Sequence, residues 1–125
     1  MAAQEVMIIG GDGRLVCSAT VADNPLTRLR GLLGRASLPA GEGLLIRPAP
    51  SIHTFFMRFA IDAVFLDADF RVLAVERSLR PGRVAGRRGA RAVLELGAGD
   101  AARGYVREGE TLRFAQVTRS HGYGR

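Results

Sequence analysis

Apolar and polar positions along the chain fall into short runs, and most of the runs have the period of a strand. Val6-Met7-Ile8-Ile9 is an apolar strand, and Gly10-Gly11-Asp12-Gly13 after it supplies residues that accept positive φ, so a hairpin turn is expected there. Leu15, Cys17, Ala19 and Val21 then alternate with Val16, Ser18 and Thr20, the pattern of a strand with one better-buried face. Asp23 or Asn24 before Pro25 is a helix start: the side chain caps free N–H groups and proline suits the first turn. Leu26, Leu29 and Leu33 recur at helical spacing, with Gly34 as the expected C-terminal cap.

Strand signals dominate from there on. Leu44-Leu45-Ile46 reads as a strand, and the prolines of Arg47-Pro48-Ala49-Pro50 interrupt any ladder. Ile52 to Phe59 is rich in β-formers and apolar on both sides, which predicts a strand covered on both faces. Ala63–Leu66 and Phe70–Val75, joined by Asp67-Ala68-Asp69, predict a hairpin. Ala92–Leu96 and Thr111–Val117 are the last two strands, with a helical turn or two between Gly97 and Arg103. His121-Gly122-Tyr123-Gly124-Arg125 reads as a frayed tail. The expected fold is mainly β: a small antiparallel β-sandwich or open barrel with one or two short helices, in one domain over residues 1–117 with a tail at 118–125.

Composition narrows the function classes. At 125 residues the chain has room for one core, and 47% apolar with 24% charged residues separates it from disordered sequences. No apolar run approaches the roughly 20 residues of a membrane helix, and the first residues lack a signal-peptide pattern, so a cytoplasmic location and no membrane partner are expected. The single Cys17 forms no internal disulfide, and as a buried filler it is read as inert. One cysteine and two histidines are too few for a soft-metal site, so neither metal nor cofactor is expected. The net charge of +6 points towards polyanions, yet all 18 basic residues are arginine, as codon usage in a GC-rich genome produces by itself.

Three blocks of this sequence resemble the family called Domain of Unknown Function 192. They are Arg30-Gly31-Leu32-Leu33-Gly34-Arg35, the long stretch from Ile52 to Asp67, and Val93-Leu94-Glu95-Leu96-Gly97-Ala98-Gly99, together covering roughly residues 22–115. The middle block is the most specific. The resemblance implies a compact mainly-β domain with short helices, known from bacteria and archaea, exported in some members, and without a settled activity. Family members often carry methionine near Leu33, proline near Gly97 and tryptophan near Phe56, which are packing or turn positions.

Candidate chemistry concentrates in the middle block. His53, Thr54, Arg58 and Asp62 are polar members of an apolar stretch, a placement that costs free energy unless the groups are paired or used. In a functional reading, His53 donates or accepts a proton, Arg58 clamps a carboxylate or phosphate, and Asp62 orients one of them. In a structural reading, Arg58 pairs with Asp62 while His53 and Thr54 satisfy backbone groups. Glu95 is expected to face solvent, or to reach Arg30 or Arg35 and tie helix to sheet. Arg77 to Arg91, including Arg83, Arg87 and Arg88, is a basic run that reads as a solvated connection and a weak anion-binding candidate. Nucleic acid is disfavoured because no aromatics are interleaved with these arginines. The first functional reading is a small-ligand-binding accessory domain with its cleft near His53–Asp62, in a monomer or weak dimer. The alternatives are a hydrolase-like enzyme using His53, and polyanion binding through the arginine run.

Overall fold

A computed structural model describes residues 4–116, apart from the side chains of Leu26, Leu29 and Arg30. Val117, the predicted end of the last strand, and the tail expected over 118–125 lie outside the described residues. In chain order the elements are β1 (Glu5–Ile9), β2 (Leu15–Ala22), α1 (Pro25–Arg30), β3 (Glu42–Ile46), β4 (Ser51–His53) and β5 (Ile61–Leu66). They continue as β6 (Val72–Leu79), β7 (Val84–Gly86), β8 (Ala92–Gly97), α2 (Asp100–Arg103) and β9 (Arg113–Gln116).

Seven strands form one sheet in the order β6-β5-β8-β3-β2-β1-β9, and β4 pairs with β7 in a separate small sheet. This is the mainly-β fold expected, with one difference: β2 and β3 run parallel, while every other neighbouring pair is antiparallel. The connection through α1 allows it, because parallel neighbours need a crossover longer than a hairpin turn. A single antiparallel bridge joins Arg71 to Thr111, and Leu112 N–H donates to Phe70 O at 2.9 Å. The sheet therefore curls its two ends towards each other without closing a barrel.

Both faces of the curl are covered. Val6, Ile8, Cys17, Ala19, Leu45, Val64, Leu94 and Leu96 share one core cluster that draws on almost every strand, which places it inside the curl. The alternate positions Leu44, Ile46, Ala63, Phe65 and Val93 face a second cluster, closed by Leu32, Leu38, Ile52 and Met57. Two-sided cover explains why β5 is buried along its whole length and β8 at all but its last residue. Arg14 anchors the turn after β1, its Nη2 donating to Glu110 Oε2 at 2.7 Å and its Nε to Gly104 O at 2.7 Å.

Three local expectations are corrected. The strand predicted over Ile52–Phe59 stops at His53, because Thr54 O accepts from Met57 N–H in a turn and Phe56 takes a φ of 65°, outside the strand region. The helix ends at Arg30 rather than near Gly34: Gly31, with φ 48°, donates its N–H to Thr27 O and caps it. The arginine run is not simply a solvated connection, since Arg77 lies within β6 and Val84–Gly86 pair with Ser51–His53.

Candidate functional site

The site begins with β8. Strand alternation sends Leu94 and Leu96 into the inner core, so Glu95 between them must point to the other face. There its register neighbours are Leu44 on β3 and Ala63 on β5, both apolar. Above that face lies α1, whose start is set by a capping box: Thr27 N–H donates to Asn24 Oδ1 at 2.9 Å and Asn24 N–H to Thr27 Oγ1 at 3.3 Å. The helix, the turn after it and the Pro48–His53 segment do not fill the space over Glu95. They enclose a cavity of about 370 Å³ lined by Leu32, Leu33, Ile46, Ile52 and Met57, with half-buried Arg28 and exposed His53 also on its wall.

Glu95 is the buried polar group of this cavity. It is 3% exposed, and its Oε1 has no hydrogen-bond partner among the described residues. Burial pushes its carboxyl up from 4.5 to about 7, because an apolar surrounding disfavours the charged form. This overturns the expectation that Glu95 faces solvent, and no pairing with Arg35 forms. Arg35 lies instead 4.0 Å from Glu42, both exposed, and the side chain of Arg30 is outside the described residues. A carboxyl in that state can give or take a proton near neutrality, or hydrogen-bond to a polar head that enters the cavity. The sequence signal was present: a glutamate inside Val93-Leu94-Glu95-Leu96, in a strand whose neighbours cover both faces.

The four residues of the middle block do not converge. His53 reaches the cavity wall, where its Nδ1 accepts from Phe55 N–H at 3.3 Å and its ring stacks on Phe55. A neutral His53 therefore carries its proton on Nε2. Thr54 is buried, its Oγ1 donating to Arg80 O at 2.6 Å and accepting from Arg83 N–H at 2.8 Å, which clamps the turn before β7 onto β4. Asp62 is buried behind the sheet and accepts from three backbone N–H groups, Ser78 at 2.9 Å and Gly99 and Ala101 at 3.0 Å each. Arg58 is exposed and makes no ion pair among the described residues, so the pairing of Arg58 with Asp62 does not form. Arg83, Arg87 and Arg88 are exposed around β7. Among the described residues, no group of three His, Cys, Asp or Glu side chains is placed to hold a metal ion, and no helix is long and apolar enough to cross a membrane.

A curled mixed sheet with one buried carboxyl facing a small apolar cavity is the class of domain that these features define. The family model DUF192, described as "Uncharacterized ACR", matches residues 7–114, and the chain belongs to this family. No curated protein matches the chain. Two solved structures share the fold. One, from Sinorhizobium meliloti 1021 and described as a "putative transcription regulator", is 24% identical with a TM-score of 0.78, over 90% of this chain and 94% of that one. The other, a protein of unknown function from Novosphingobium aromaticivorans DSM 12444, is 24% identical with a TM-score of 0.75, over 87% of this chain and 83% of that one.

Proposed function

We propose that the chain is a small-ligand-binding domain whose ligand seats in the cavity over Glu95. The observation that supports this reading is the unpartnered Glu95 Oε1. Leaving a buried acceptor unsatisfied costs roughly 1–3 kcal/mol, which a ligand donor would recover. The cavity is at the small end of the range for ligand sites, and its lining of Leu32, Leu33, Ile46, Ile52 and Met57 suits a compact apolar body. The ligand that fits carries an amine, hydroxyl or amide on that body for Glu95, and a polar or anionic substituent within reach of Arg28 and His53. This moves the cleft first expected near His53–Asp62 towards the helix side of His53. A second reading, proton transfer to such a molecule, is favoured by a near-neutral carboxyl and an imidazole on one cavity wall.

A thermal-shift screen of small amines, alcohols, amides and organic acids tests the binding reading, with Glu95→Leu and His53→Ala beside the wild type. Saturation at about a hundred times Kd adds about 2.7 kcal/mol of stability. That gain should vanish in Glu95→Leu and shrink in His53→Ala. If no class stabilises the wild type, or if Glu95→Leu responds equally, the reading is wrong.

A further inference from the structure

Segments 48–60 and 77–91 meet through the β4–β7 pair, where Ile52 opposes Ala85 and His53 opposes Val84. Ile52 is buried in the core, and alternation turns His53 and Val84 to the exposed side, where His53 also borders the cavity over Glu95. The turn that follows has Phe55 and Phe56 at its two corners. Phe56 is 88% exposed and holds a φ of 65°, a conformation that bulky side chains rarely take. The φ belongs to its place as the second central residue of the turn closed by Met57 N–H and Thr54 O, whereas the exposure of the ring is not offset by any packing. Phe55 lies against His53 with ring centroids 5.3 Å apart and planes inclined by 23°.

The two segments carry seven arginines and no aspartate or glutamate. All seven are exposed, and none is in an ion pair among the described residues. Arg58 follows the two phenylalanines in sequence, Arg83 is held to Thr54 through its backbone, and Arg87 N–H donates to Pro50 O at 3.4 Å. Aromatics missing from the arginine run itself are thus supplied by the other segment.

We propose that this face binds single-stranded nucleic acid, with phosphates on the free guanidinium groups and unpaired bases stacked on Phe56 and on the Phe55–His53 pair. Exposed rings beside unpaired arginines form the stacking-plus-charge surface that single strands use, and such a surface tolerates any base sequence. Near-parallel rings favour flat bases over the acyl chains of an anionic membrane, and paired bases offer them no face.

Fluorescence anisotropy with a labelled oligo-dT of about 15 nucleotides tests this on the full chain. The expected log-affinity against log-salt slope is about −2 or steeper, from three or more phosphates at about −0.7 each. Arg83→Ala/Arg87→Ala/Arg88→Ala should flatten that slope by about 2. Phe56→Leu, which keeps apolar bulk and loses the ring, should weaken binding about tenfold at fixed salt with the slope unchanged, its melting curve confirming the fold. Glu95→Gln should bind as the wild type does, which separates this face from the cavity. Absence of salt-dependent binding, an unaffected Phe56→Leu, or equal affinity for a duplex of the same length overturns the proposal. So does capture by phosphatidylglycerol vesicles without capture of oligo-dT, which would assign the face to a lipid surface.

Discussion

Replacing Glu95 with glutamine removes one ionisable group from an apolar site while keeping its shape, and the consequence for stability has a definite pH signature. In the native chain the carboxyl is raised from 4.5 to about 7 by burial. Between those values the folded state holds a proton that the unfolded state releases, so stability falls as pH rises. Glu95 is least costly below about pH 4.5, and its full penalty is reached once pH has passed about 7. The shift corresponds to about 3 kcal/mol. Glutamine has no such dependence, although its buried amide adds a constant cost of roughly 1–3 kcal/mol. The difference in unfolding free energy between wild type and Glu95→Gln should therefore move by about 3 kcal/mol in favour of the variant from pH 4.5 to 8. Other groups titrate alike in both proteins and cancel. Urea unfolding of the ligand-free proteins at a series of pH values reads it directly, and thermal midpoints should show a relative displacement of roughly 10 °C. A difference that stays flat across this window would refute the reasoning, because Glu95 would then be solvated or paired.

Asp62→Ala strands the N–H groups of Ser78, Gly99 and Ala101 and should destabilise the fold by roughly 3–5 kcal/mol in urea unfolding. Asp62→Asn keeps one oxygen and should lose less. A loss under about 1 kcal/mol for the alanine variant would show that water replaces the carboxylate. Cys17 is buried, and burial, with Asp100 adding repulsion, pushes its thiol up to about 12. An aromatic disulfide reagent at pH 8 should leave the native protein unmodified and react fully in urea, and rapid modification of the native state would contradict the packing.

Much of this molecule could be read from local pattern, and the reasons differ by element. The hairpin at Gly10–Gly13, the strand carrying Cys17, the helix start before Pro25 and the hairpin turning at Asp67–Asp69 each follow from neighbours within a few residues, whose turn and capping chemistry acts locally. The segment after His53 misled for the same reason. Its β-forming composition is local, but its turn is held by Arg80, Gly82 and Arg83, far along the chain.

What the chain by itself determined was the mainly-β class, the family and most of the strands, because periodicity and turn residues encode backbone conformation directly. Tertiary structure alone decided where the polar groups went. Asp62, read as orienting a ligand-site residue or pairing with Arg58, instead satisfies backbone N–H groups of β6 and of the start of α2. Glu95, read as exposed or tied to Arg30 or Arg35, became the carboxyl looking into the cavity, since strand alternation says which face a residue takes but not what covers that face. The arginine run of 77–91 was brought beside the segment carrying Phe55 and Phe56 only when β7 paired with β4. Each outcome rests on a contact between segments distant in sequence, and no pattern within a single segment records it.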